Sequence, residues 1–147
     1  MNKLRSNRGF SLVELAIGLA VITILILAVT VSAGVRDNAR IQSTANSIQT
    51  LRSAAENYLV TGKLNYSGMT IDVLKEDKLL PGNFSGTAAN AWGGDFTLAA
   101  NGSDNTRFDV AVSSVAKTYA DKLTAYFNNS ASAIAYDESK KTWTGTF

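Results

Sequence analysis

Between Leu15 and Val35 the chain runs for 21 residues without a charge, mostly Leu, Ile, Val and Ala. No other stretch limits the fold so tightly. A helix of that length reaches roughly 31 Å at about 1.5 Å per residue, enough to cross a hydrocarbon core of about 30 Å. Three features attend the run. Lys3, Arg5 and Arg8 form a short basic leader. Gly9 stands directly before Phe10, and one carboxylate, Glu14, lies among the apolar residues.

Two ordinary readings leave part of this pattern unexplained. A secretory signal peptide has an apolar run of about 7–15 residues with a small-residue cleavage site after it. Here the run is longer, and the plausible processing residue, Gly9, precedes it. A simple single-pass anchor fits the length and the basic flank but gives no reason for Glu14. A carboxylate inside such a helix costs about 2.5–3.5 kcal/mol on insertion scales, less where it reaches the interface from near the helix start. An intramembrane charge is therefore a functional hypothesis by default.

Arg8-Gly9-Phe10-Ser11-Leu12-Val13-Glu14-Leu15 resembles the processing site of type IV pilins and their pseudopilin relatives. The resemblance covers about residues 1–60. It implies that a membrane-embedded prepilin peptidase cuts between Gly9 and Phe10 and methylates the new amine of Phe10. It also implies that Phe10 and Glu14 act in assembly. The fold expected from it is α+β, a long N-terminal helix with a small antiparallel sheet head. The segments follow: leader 1–9, apolar helix 10–35, amphipathic half of the same helix 36–60, connecting loop region 61–94, and sheet head with one further helix 95–147. A type IV pilin starts as a precursor in the bacterial inner membrane. Assembly machinery then builds it, with other copies of itself, into an extracellular helical pilus. The short leader and Phe10 resemble the type IVa class, whereas Val31-Ser32-Ala33-Gly34-Val35 and Asn90-Ala91-Trp92-Gly93-Gly94 resemble type IVb pilins.

The physics of those residues can be stated separately. Cutting after Gly9 creates a positive amine at Phe10. In a low-dielectric setting an unpaired Glu14 is unfavourable, and a partner amine removes much of that cost. The expectation is that Glu14 pairs with the Phe10 amine of a neighbouring copy and sets the stagger between copies. Gly9 is small, which suits close approach of a protease to the backbone.

Charge and composition agree with this reading. The formal charge is +2, but three of the 14 basic residues lie in the leader. Without it, 11 basic residues face 12 acidic ones. Nothing suggests a dedicated nucleic-acid partner. The leader charges instead place residues 1–9 on the cytoplasmic side and the chain beyond Val35 outside. Cysteine and histidine are absent, which removes Cys/His zinc sites, Cys nucleophiles, His triads and disulfides within this chain. The acidic residues are dispersed, so no catalytic residue, cofactor site or metal site is expected. Many pilins close their C-terminal region with a disulfide loop. Here packing and hydrogen bonds have to hold it.

Beyond Val35, Ile41, Ala45, Ile48, Leu51, Ala55, Tyr58 and Leu59 recur at spacings of three and four, the mark of one apolar helix face. Gly18 and Gly34 interrupt the helix at a cost of roughly 1 kcal/mol each relative to alanine, and Thr30 to Gly34 is a candidate for stretching in an assembled fibre. Thr61 to Gly68 reads as loop. Thr70 is a candidate N-cap for a short helix from Ile71 to about Lys78, stopped by Pro81-Gly82. Gly93-Gly94 permits a tight turn, with Trp92 packing over a sheet edge rather than binding a ligand.

Asp95–Ala99 and Arg107–Val112 alternate as strands around a turn. Asp104, Asn105 and Asp109 near that turn do not match an EF-hand spacing. Ser114–Phe127 reads as an amphipathic helix, with Val115, Tyr119, Leu123 and Tyr126/Phe127 on one side. Ala133–Tyr136 and Thr142–Phe147 read as strands joined by a turn at 137–140. The last of them is expected to close the sheet in place of a disulfide clasp. Two other classes of function stay open. One is a minor pilin or pseudopilin of a secretion or DNA-uptake system, and the other a monomeric membrane-tethered binding module.

Overall fold

The computed structural model describes residues 12–147, with side chains throughout except at 27–33. The fold is α+β. Helix α1 (Leu12–Val60) comes first, followed by α2 (Ile71–Glu76), β1 (Phe96–Ala100), β2 (Phe108–Val112), α3 (Lys117–Phe127), β3 (Ala133–Asp137) and β4 (Thr142–Thr146). Residues group into two compact units that part between Asn38 and Ala39. α1 is helical through Gly18 and Gly34, and a Cβ at either glycine would meet only open space. Neither glycine is demanded by packing among the described residues.

In the C-terminal unit one face of α1 forms the floor of the core. Ile41, Ala45, Ile48, Leu51, Ala55 and Tyr58 are buried as their spacing predicts, and Leu59 is half-buried. Thr44 and Ala54 join that face. Thr44 is a core position that a polarity pattern hides. Its hydroxyl is buried with no hydrogen-bond partner, which costs free energy unless the group is replaced by an apolar one.

The four strands form one antiparallel sheet in the order β1-β2-β4-β3. Alternate residues of β1, β2 and β4 face the core: Phe96 and Leu98, Phe108, Val110 and Val112, then Trp143 and Gly145. Register aligns them in rows across the sheet, Leu98 opposite Val110, Val110 opposite Gly145, and Gly145 opposite Ile134. The last strand does not lie at an edge. β4 is central, pairing with β2 on one side and β3 on the other, so the C-terminal segment welds two hairpins into one sheet. Phe147 extends the weld by exchanging two backbone bonds with Phe108, at 3.1 and 2.9 Å. The Arg52 guanidinium of α1 lies 5.2 Å from the Phe147 ring, a cation–π contact at the foot of the sheet.

Trp143 fills the middle of this core. It is fully buried, and its indole N–H donates to the Thr124 hydroxyl of α3 at 3.1 Å. The neighbouring residue on the same face is glycine for a steric reason. A Cβ at Gly145 would come 2.7 Å from the Trp143 ring and 3.1 Å from Phe147.

Both short helices end or begin where local backbone chemistry decides. α2 is shorter than expected. It starts at the Thr70 cap, whose hydroxyl accepts from Val73 N–H at 3.3 Å, but it stops at Glu76. Lys78 takes a left-handed φ of 58°. Its N–H bonds Lys75 O, and Leu79 N–H reaches back to Leu74 O at 2.8 Å. That is a Schellman cap with lysine in the place usually held by glycine. α3 starts at Lys117 rather than Ser114 because Ser114 is itself left-handed, at φ 61°, and Val115 N–H bonds Lys141 O instead of starting a helix.

Two substitutions read this core directly. Thr44→Val should raise stability by about 1 kcal/mol, because it removes an unpaired buried hydroxyl. Gly145→Ala should lower it by about 1–3 kcal/mol through overpacking. Thermal unfolding of the full chain, followed by tryptophan fluorescence, checks both.

Candidate assembly site

Glu14 lies in the first described turn of α1. Gly9 and Phe10, the other two residues expected at this site, lie outside the described residues. Around Glu14 the helix is apolar on every side. Leu12, Val13, Leu15, Ile17, Leu19 and Val21 are all exposed, and so are Ile22, Ile24, Leu25 and Ile26. The polar hydroxyl of Thr23 is turned back onto Leu19 O at 2.8 Å, so it adds little polarity to the surface.

An amphipathic surface helix shows one apolar stripe. One that is apolar all round is a buried element of a large assembly or a membrane span. Among the described residues, no helix is long and apolar enough to cross a membrane. The 15–35 run expected to do so is described through its side chains only at 15–26 and 34–35.

The turn that resembles type IVb pilins is a structural staple. Asn90 is buried, and its side-chain oxygen accepts from Trp92 N–H and Gly94 N–H, both at 2.9 Å. Its amide nitrogen donates to Ser113 O at 2.7 Å, just past the end of β2. One side chain thus ties the connecting loop to the sheet. Gly93 is left-handed at φ 76°. Gly94 is glycine because a Cβ there would come 2.7 Å from the Ser113 carbonyl carbon and 2.8 Å from Asn90 Nδ2. Trp92 packs against the core, and its ring stacks on Tyr119 of α3 with centroids 5.2 Å apart. The sequence marks this segment as a turn, but the 23-residue reach from Asn90 to Ser113 has no local signal.

The carboxylates near the β1–β2 turn have partners of their own. Asp104 accepts from the Thr106 hydroxyl at 2.6 Å and its N–H at 2.9 Å, which holds its carboxyl below the ordinary range. Asp109 accepts from the Asn101 amide at 3.0 Å and the Thr146 hydroxyl at 2.6 Å. Among the described residues, no three acidic side chains gather as a metal site would need.

Comparison with known families bears on the whole chain. Residues 4–30 match the prokaryotic N-terminal methylation motif, and residues 38–144 match the family described as PilS N terminal. The chain belongs to the type IV pilin family. No curated protein and no solved structure matches it. The methylation motif implies processing by a prepilin peptidase and delivery to pilus assembly machinery. The apolar, Glu14-bearing start of α1 falls within the first match, and the sheet and its helical floor within the second.

Asn90→Ala should cost about 2–3 kcal/mol, because two N–H groups and one carbonyl lose their shared partner. Urea unfolding of the full chain measures it, and a loss under 1 kcal/mol would show that the staple is dispensable.

Proposed function

We propose that this chain is a structural subunit of an extracellular type IV pilus. The precursor sits in the inner membrane by its apolar helix, with the basic leader on the cytoplasmic side. Prepilin peptidase cuts between Gly9 and Phe10 and methylates the Phe10 amine. The mature chain then leaves the bilayer for a helical fibre of its own copies, with α1 inside.

The observation that carries this reading is the uncovered apolar surface of Leu12–Ile26, with Glu14 as its one charge. Ten large aliphatic residues there lie at least half exposed. Burying a side chain of that kind is worth about 1.5–3 kcal/mol, so water is a poor environment for this surface and either lipid or other helices a good one. In the fibre, Glu14 pairs with the Phe10 amine of a neighbour. A carboxylate left without that partner among apolar helices is the costly state, and the cost penalises copies that enter out of register. The match to a methylation motif also supports a processed N-terminus. Minor-pilin and tethered-module readings predict different abundance in shed fibres.

Glu14→Ala removes the pairing and leaves the apolar surface intact. Filament yield in sheared extracellular fractions should fall at least tenfold, with the variant still processed and still held in the membrane. Normal filament yield would sink the pairing.

A further inference from the structure

The two outer strands of the sheet each have a strand partner on one side only among the described residues. β1 pairs only with β2, and β3 only with β4. Phe96 N–H points away from β2 to Gly86 O at 2.7 Å, while Ser113 N–H reaches Asp95 O. By alternation along the strand, the N–H and C=O of Leu98 also face outward, as does Ala100. At the far edge, Phe147 exchanges bonds with Phe108 of β2. Alternation therefore turns Thr142, Thr144 and Thr146 toward β3, where they oppose Asp137, Ala135 and Ala133. The main-chain groups of Ile134 and Tyr136 are left facing outward.

Natural sheets blunt such edges with proline, lysine, bulges or inward charges. Here β1 reads Phe-Thr-Leu-Ala-Ala and β3 reads Ala-Ile-Ala-Tyr-Asp, without a proline or basic residue in either. Residues of β1 also line a cleft of about 400 Å³, together with Ile71 and Lys75 of α2 and with Ser85 and Thr87. Gly86, at one end of that cleft, already makes a single strand-like bond to Phe96.

The two edges fit each other. All neighbouring strands are antiparallel, so with four strands β1 and β3 run in opposite directions. A second copy placed beside the first in the same orientation would lay its β3 antiparallel to this β1. The outward-bonding residues agree in face as well. Leu98 is buried on the core side, and Ile134 and Tyr136 are half-buried on that same side of the sheet. Pairing Leu98 with Ile134 or with Tyr136 keeps the core face continuous. Because the two surfaces differ, the contact is heterologous, and such contacts extend into open filaments rather than closing as dimers.

We propose that neighbouring copies join edge to edge, β1 of one receiving β3 of the next, so that strand addition between sheets reinforces the fibre. The occupant is a second copy of this chain, and the inference rests on the filament reading above. An extended main chain is the ligand that unpaired, alternating N–H and C=O groups recognise.

The test uses the absence of native cysteine. Thr97, Ala99 and Ala135 are exposed on the outer face. Thr97→Cys with Ala135→Cys probes the Leu98–Ile134 register, and Ala99→Cys with Ala135→Cys probes the Leu98–Tyr136 register. Each pair would be non-hydrogen-bonded, with Cα atoms about 4.5 Å apart, close enough for a disulfide. Sheared fibres of one double variant should give a reducible ladder of dimer, trimer and higher species on a non-reducing gel, while each single variant stays monomeric. Fibres of both double variants that run only as monomer overturn the edge pairing and leave the filament reading standing. Electron cryo-microscopy of the unmodified fibre gives a second reading. Strand-spaced main chain between neighbouring sheets supports the pairing, and a gap or side-chain-only contact there overturns it. No fibre at all from the unmodified chain overturns both proposals.

Discussion

A helix that is apolar on every side has to be covered, and no described residue of the chain buries Leu12–Ile26. Helix propensity cannot make such a surface comfortable in water, and the C-terminal unit has a core of its own. Two covers are physically adequate, lipid and other helices of the same kind. For aliphatic side chains they are nearly equivalent, since lipid tails are as apolar as leucine. Moving such a helix from a bilayer into a fibre therefore changes little in hydrophobic free energy. What differs between the two environments is the treatment of charge. In the proposed fibre Glu14 meets a neighbour's amine, and that pairing gives the exchange a direction and a register that apolar packing alone does not supply.

The C-terminal unit solves a different problem, holding a four-stranded sheet on one helix face without any cross-link. Its solution is topological. The last strand enters the middle of the sheet, so the chain end is gripped on both sides by backbone bonds. Trp143 then anchors it from below, bonded to Thr124 and packed against Phe127. Asn90 ties the connecting loop to the end of β2. These contacts leave β1 and β3 without a second strand partner among the described residues.

How much of this was legible depends on the range over which each feature is encoded. The apolar run and the Gly9–Glu14 motif are local, and the family match agrees with the resemblance they carry. The core face of α1 is periodic, and Ile41 through Tyr58 are buried as that period requires. Thr44 escaped because periodicity is read from polarity, and a lone hydroxyl in a core violates it. The end of α2 escaped because lysine at 78 performs a turn usually signalled by glycine. Strand positions were legible to within a residue or so, since alternation is local. Strand order was not. Nothing within Thr142–Thr146 says that it lies between β2 and β3, because that order is set by pairing across the sheet. Gly145 is legible as part of a strand, but the reason it is glycine shows only in the ring of Trp143 beside it.

The central claim is that the mature chain begins at Phe10 and is carried out of the membrane into a fibre made mainly of itself. Mass spectrometry of sheared extracellular material from the native cell tests this most directly. The account predicts one dominant chain, starting at N-methylated Phe10 and lacking residues 1–9. A chain confined to membranes and still beginning at Met1 would contradict it, and so would one found only in trace amounts in fibres built of another protein.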